Sequence, residues 1–269
     1  MRRTALAILA IVTSLAVVRT ASSADLSLPP ISRAAPPAYG PVYGARLYDW
    51  TACYVGLNAG GVWGRMQNNW SPNGDFDSDV GSSLQTNGST TINASGFTGG
   101  GEVGCNWQVA QVVAGVEADF QYTGLDESRD LFVPATLLVA PLRFHEEFSS
   151  KWLATFRGRL GWLINPFVLL YATGGLAVAN VETTDSVINQ LNTAEFNTVS
   201  GSDTRAGWTV GAGAEWKFAA HWSVKAEYLF VNLGQFSTTS TDSLDPLGTI
   251  DHNHHLTENI VRGGINFHF

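Results

Sequence analysis

Trp208-Thr209-Val210-Gly211-Ala212-Gly213-Ala214-Glu215-Trp216-Lys217-Phe218 (residues 208–218) alternates without a break. Trp208, Val210, Ala212, Ala214, Trp216 and Phe218 fall on one face of an extended chain, and Thr209, Gly211, Gly213, Glu215 and Lys217 fall on the other. Successive side chains of a strand point to opposite sides, so period two marks a strand between two unlike environments. Here one environment receives tryptophan and small apolar groups while the other receives glycine and charge. That division suits a wall with lipid outside and a polar interior.

Six further segments share the pattern, and a seventh is apolar on both faces. Near residues 50–64, Cys53, Val55, Leu57, Ala59 and Trp63 alternate with Tyr54, Gly56, Asn58 and Gly60. Residues 95–107 set Phe97, Val103, Cys105 and Trp107 against Thr98, Gly100, Glu102 and Asn106, and residues 112–123 set Ala114, Val116, Ala118, Phe120 and Tyr122 against Glu117, Asp119 and Gln121. Residues 149–163 oppose Trp152, Ala154, Phe156, Leu160 and Trp162 to Lys151, Thr155, Arg157 and Arg159. Residues 222–233 oppose Val224, Ala226, Tyr228 and Phe230 to Lys225 and Glu227, and residues 256–269 oppose Val261, Ile265, Phe267 and Phe269 to Arg262, Asn266 and His268. Residues 167–181 are apolar on both faces, and the pattern gives no orientation for them.

Connections alternate in length. Short turns fall around Val109-Ala110, Asn165-Pro166 and Ala219-Ala220-His221, whereas residues 65–94, 124–148, 182–203 and 234–255 are long and rich in Asn, Ser, Thr, Asp and Gly. Short turns on one side and long polar connections on the other predict an all-β, eight-stranded antiparallel transmembrane β-barrel with four long extracellular loops and both termini in the periplasm. A soluble ligand-binding barrel is the alternative. It would put the apolar faces inside and the charges in water; lipid in place of that water costs about 2–4 kcal/mol for each Arg or Lys at the midplane, so in a membrane the charges point inward. Trp50 and Trp63, Phe97 and Trp107, Trp152 and Trp162, Trp208 and Trp216, and Trp222 and Phe230 then form two aromatic girdles. At about 3.3 Å per residue and a tilt of about 40° their spacing spans about 25 Å, the height of an apolar band.

Composition agrees. Only 14% of the 269 residues are charged, against about 25% in an average soluble domain, and 28 Gly and 9 Trp accompany 2 Cys and 2 Met. Residues 1–24 read as a signal peptide, with Arg2 and Arg3, an apolar run from Ala5 to Val18, and Ser22-Ser23-Ala24 at the cleavage site. Residues 25–49, with Pro29, Pro30, Pro36, Pro37 and Pro41, read as a periplasmic linker, and 50–269 as the barrel. Loss of Arg2, Arg3 and Arg19 leaves 12 of the 15 Lys and Arg to face 23 Asp and Glu. Such a balance argues against nucleic acid as a partner.

Several stretches carry a family resemblance: Trp50-Thr51-Ala52-Cys53-Tyr54-Val55-Gly56-Leu57-Asn58-Ala59-Gly60, Thr155-Phe156-Arg157-Gly158-Arg159-Leu160-Gly161, Leu170-Tyr171-Ala172-Thr173-Gly174-Gly175, Lys225-Ala226-Glu227-Tyr228-Leu229 and the closing Val261-Arg262-Gly263-Gly264-Ile265-Asn266-Phe267-His268-Phe269. From Trp50 to its end the chain resembles the small outer-membrane barrels of alphaproteobacteria, the outer-membrane immunogenic or porin-like proteins of rhizobia and brucellae. The resemblance implies a surface-exposed antigen in the outer membrane of a Gram-negative bacterium, without catalytic residues, some of whose relatives are linked to haemin. Phe269 and Phe267 resemble the signal read by the barrel-assembly machinery. That machinery and outer-membrane lipid are the expected partners, and the expected state is a monomer.

With about eight strands a bore is just wide enough to be filled by side chains. Glu102, Glu117, Asp119, Arg157, Arg159, Glu215, Glu227 and Arg262 are therefore expected to pair as a lumen network that blocks it. Cys53 and Cys105 sit on outward positions near one end of adjacent strands and are read as a disulfide, the alternative being two thiols facing lipid. His252, His254 and His255 beside Asp251 are candidates for a metal or haem iron; without Cys or Glu at ligand spacing they read as a solvated loop, and neither a metal nor a cofactor is assigned. Asp75, Asp77 and Asp79 lack the Gly and Glu of a calcium loop. No Ser, His and Asp share a membrane height, so the expectation is a barrel that is not an enzyme, serving envelope integrity and surface contact; a haemin or metal receptor and a small diffusion pore are the alternatives.

Overall fold

The structure, a computed structural model, describes residues 49–73, 78–135, 141–191, 196–241 and 249–269. The expected signal peptide and nearly all of the expected linker, along with Asp75 and Asp77, lie outside the described residues. Eight strands run β1 (Ala52–Asn73), β2 (Thr90–Val109), β3 (Val112–Val133), β4 (Leu142–Asn165), β5 (Val168–Asn189), β6 (Phe196–Ala219), β7 (Trp222–Thr241) and β8 (Thr249–His268). Each pairs antiparallel with its sequence neighbours, and β1 pairs with β8, so the sheet closes on itself. A closed barrel satisfies every inner strand and leaves no edge, which is why strands can cross a membrane only in this form. No helix among the described residues is long and apolar enough to cross a membrane.

The three short turns stand where the sequence places them, between β2 and β3, β4 and β5, and β6 and β7. The long connections do not. Strands of 20–24 residues continue through most of the four stretches read as loops. What remains between strands is residues 74–89, which include an unanticipated helix α1 (Ser78–Gly88), then 134–141, 190–195 and 242–248. At about 3.3 Å per residue and a tilt of about 40°, 22 residues rise about 55 Å, roughly twice an apolar band. The excess lies at the loop end. There the outward residues become polar, as in Arg65, Gln67, Asn69 and Ser71 of β1 and Asp251, Asn253, His255 and Thr257 of β8.

Outward apolar groups mark the lipid belt. Leu57, Phe97, Leu160 and Leu176 are 68%, 62%, 61% and 64% exposed, and at its loop-side edge Phe120 stacks on Trp152 while Trp208 packs at a tilt against Phe230. Two residues depart from their expected faces. Trp50, expected in a girdle, is fully buried: it closes the turn end of the bore against Val113, Leu163, Leu169 and Tyr171, with Nε1 donating to the Pro166 carbonyl at 3.2 Å. Lys151, expected inside, faces out and pairs with Glu182 at 2.6 Å. A register shift between Ser149 and Leu153 inserts an extra residue, so Ser150 and Leu153 both point inward and Lys151 is turned out. The unoriented segment becomes β5, with Leu169, Tyr171, Thr173, Ala177, Ala179 and Val181 inside and Leu170, Ala172 and Leu176 outside.

Candidate functional site: a bore closed in layers

Alternation along β2, β3, β4, β6, β7 and β8 aims charged side chains at the turn-side half of the bore. Arg157 of β4 is the hub. Its guanidinium donates to Asp119 Oδ2 at 2.7 Å, to Glu227 Oε1 at 3.1 Å and to Glu117 Oε1, and its Nε donates to Thr155 Oγ1 at 2.9 Å. Arg262 of β8 donates to Glu227 Oε2 at 2.8 and 2.5 Å and to Asp119 Oδ2 at 3.2 Å. Arg159 donates to Glu215 Oε2 at 2.7 Å and to the Tyr54 hydroxyl at 2.9 Å, and lies over the Tyr171 ring at 3.9 Å. Lys225 reaches Glu102 at 2.7 Å and Glu117 at 3.0 Å.

All eight residues expected to line the lumen are thus brought together, with four cations meeting five carboxylates among the described residues. Neutral donors complete the shell: Tyr54 donates to Glu117 at 2.6 Å, Tyr171 to Glu227 at 3.1 Å, Asn58 to Glu102 at 2.8 Å and Ser223 to Glu215 at 2.5 Å. Tyr54, Asn58 and Tyr171 were not among the expected network residues. The inward parity of Gly56 and Asn58 marks Tyr54, whereas Tyr171 sits in the segment whose parity gave no orientation. Glycine on the adjacent paired strand lets the backbones approach beside both arginines: a Cβ on Gly60 would stand 2.6 Å from Arg262 Cα, and one on Gly175 would stand 2.7 Å from Arg157 Cα.

On the loop side of this network the bore changes character. Val62, Met66, Leu125, Phe148, Leu153, Leu229, Val231, Leu256 and Ile260 fill it as one buried apolar cluster. Sequence reading places glycine, polar and charged groups inside and no apolar layer. Inward valine and leucine beside outward phenylalanine give no contrast of faces, so this layer carries no alternating signal.

Beyond it stand the histidines. They lie on β8 rather than in a loop: His252 and His254 are buried in the bore, between the rings of Trp70 and Phe236, while His255 falls on the opposite face. Among the described residues no group of three or more His, Cys, Asp and Glu could hold a metal ion.

Cys53 and Cys105 lie directly opposite each other across β1 and β2 and form a disulfide, Cα to Cα 3.9 Å. Closing a loop 52 residues apart in sequence is worth about 4 kcal/mol by the chain-entropy argument, less in a barrel whose strands are already tied by hydrogen bonds. Unfolded, unreduced protein is expected to show no free thiol; labelling at two cysteines would refute the bridge. At the other terminus, Phe269 is 68% exposed with its amide donating to the Cys53 carbonyl at 3.0 Å, and Phe267 packs edge-on against Trp222 at 5.1 Å.

A family model described as the outer membrane protein beta-barrel domain matches residues 41–254. A 31 kDa outer-membrane immunogenic protein of Brucella melitensis is 33% identical over 214 residues, which is 79% of this chain and 82% of the relative. A 25 kDa outer-membrane immunogenic protein of Brucella abortus is 27% identical over 87% of this chain and 86% of its own length. Among solved structures, the outer membrane protein OprG of Pseudomonas aeruginosa aligns over 82% of this chain and 99% of its own, with TM-score 0.46 and 10% identity.

Proposed function

This chain belongs to the outer-membrane β-barrel family, and from that premise we propose that it is a closed, non-enzymatic element of the outer membrane, contributing to envelope integrity and offering its outer rim for surface interaction. It works as a monomer in lipid, is delivered through its terminal Phe267 and Phe269 to the barrel-assembly machinery, and points its short turns to the periplasm.

One observation carries the reading: the bore is filled. The ionic layer ties its charged groups to one another, and the apolar layer beyond it offers an ion nothing to replace its water. A diffusion pore needs a continuous wet path, and a haemin receptor built on the three histidines needs them at the surface. Planar-bilayer recording on refolded protein tests this. The expected trace is flat, without stable open-channel steps. Large, steady currents that survive substitution of the lumen charges would overturn the closed barrel in favour of a pore.

A further inference from the structure

Outside the apolar layer lies a polar chamber whose charge is not balanced. Asn68 of β1 donates from Nδ2 to Glu146 Oε1 of β4 at 3.0 Å and to Asp185 Oδ1 of β5 at 3.2 Å. The two carboxyls face each other as ladder neighbours, both residues are buried, and Glu146 Oε2 and Asp185 Oδ2 have no hydrogen-bond partner. Asp185 Oδ2 stands 3.4 Å from His254 Nε2 and 3.7 Å from His252 Nδ1.

Little else around the pair is charged. On β3, Arg129 is exposed and donates to Thr90 of β2. On β6, Arg205 pairs with Asp203 and lies over the Phe236 ring. On β7, Ser240 and Thr238 bond His252 and His254 at 2.8 and 3.3 Å. On β8, below the histidines, both carboxyl oxygens of Glu258 are buried without a partner. No lysine or arginine among the described residues forms an ion pair with Glu146 or Asp185, in contrast to the inner network, where Arg and Lys meet every carboxylate. Two ionised carboxylates sharing a buried site repel one another, and each lacks the water that would stabilise it.

We propose that protons are the counter-ions of this chamber: carried by Glu146 and Asp185, they keep the outer half of the barrel closed, and their loss at mildly alkaline pH admits water and loosens the outer strands while the inner half stays intact.

The chamber lies beyond the aromatic residues that edge the lipid belt, five residues past Trp63 on β1 and six past Trp152 on β4. External pH is therefore the pH it meets. Burial pushes the Asp185 carboxyl up to about 7, and burial together with the Asp185 charge pushes Glu146 up to about 8. Burial pushes His252 and His254 down to about 4. A carboxyl held above its unfolded value, about 4, contributes fully below that pH and loses its contribution as pH rises to the folded value. A histidine held below its unfolded value, about 6.5, contributes above that pH and loses its contribution as pH falls. For Glu146 and Asp185 the two histidines offset the loss between about pH 4 and 6.5, which leaves their net loss between about 6.5 and 8, and Glu258, pushed up to about 7 by burial, adds to the loss below pH 7. Of the pair, both groups titrate up to pH 7 and one up to pH 8, at tenfold per group per unit, so the outer half should open about a hundredfold more often across that window.

Hydrogen exchange on refolded protein in lipid, corrected for the intrinsic rate at each pH, reads this directly. Between pH 6.5 and 8, protection in residues 65–71, 143–149 and 183–188 is expected to fall about a hundredfold, while residues 113–121 and 155–161 hold theirs. The double variant Glu146→Gln with Asp185→Asn keeps the shape and removes both chamber carboxyls, so the fall shrinks to what Glu258 supplies; if it does not fold, either single variant should shrink the fall. A fall undiminished in these variants, no fall in the wild-type protein, or a fall spread equally over the inner residues overturns the proposal. Restoration of protection at pH 8 by micromolar zinc, reversed by chelator, also overturns it, since a metal would then be the counter-ion.

Discussion

Replacing Arg157 with alanine lowers the stability of the barrel by about 3–5 kcal/mol, the cost of breaking a fully buried ion pair from one side. Arg157 is 0% exposed and bonds Glu117, Asp119, Glu227 and Thr155 at once. Its removal leaves Asp119 and Glu227 to Arg262, and Glu117 to Lys225 and to Arg159 at 3.6 Å, cations that already serve Glu102 and Glu215 as well. None of them can add the lost fork, because each is fixed by its own strand. Arg157→Lys should recover only part of the loss, since a single ammonium cannot hold three acceptors in the guanidinium plane. Urea-driven refolding in lipid measures both. A loss below about 1 kcal/mol for Arg157→Ala would mean that water screens the network, as it does for surface pairs, and the bore would then be wet on that side.

What could be read from the chain follows from contrast between faces. Where lipid lies on one side and charge on the other, as from Trp208 to Phe218, period two is unmistakable and the eight strands, their order and the three short turns follow. Contrast fails twice. Outside the lipid belt both faces of β1 and β8 carry Asn, Ser, Thr and His, the vocabulary of loops, so the pattern predicts about two-thirds of each strand of 20–24 residues and puts His252 and His254 in solvent. Inside the belt, β5 and the outer part of β7 are apolar on both faces, and the cluster around Leu229 and Val231 left no mark. Lys151 shows a third cause: one extra residue between Ser149 and Leu153 reverses parity locally, and no composition signals it. Trp50 was counted in a girdle by residue type, whereas its place is the mouth of the bore, under Lys217 at 4.7 Å. The charged network was legible because one inward arginine among carboxylates implies the rest.

The apolar layer yields the second large effect. Phe148 is 0% exposed within it, and truncation to alanine costs about 3–5 kcal/mol through lost transfer energy and the cavity left behind. Conduction should respond differently from stability. The two layers close the same path in series, so an ion that passes one still meets the other. Phe148→Ala thins the dry layer but leaves Arg157, Arg262 and their carboxylates intact; Arg157→Ala opens the ionic layer but leaves Leu229, Val231, Leu153 and Ile260 in place. Each single variant is therefore expected to stay silent in a bilayer despite its lost stability, and only Phe148→Ala combined with Arg157→Ala should give current steps, recorded from the fraction that remains folded. The sites lie nine residues apart on β4, about 30 Å along the strand, so their stability losses should add while their effects on current multiply. Steps from Arg157→Ala alone would show that the apolar layer is no barrier, and steps from Phe148→Ala alone that the ionic layer is already permeable; either result breaks the series.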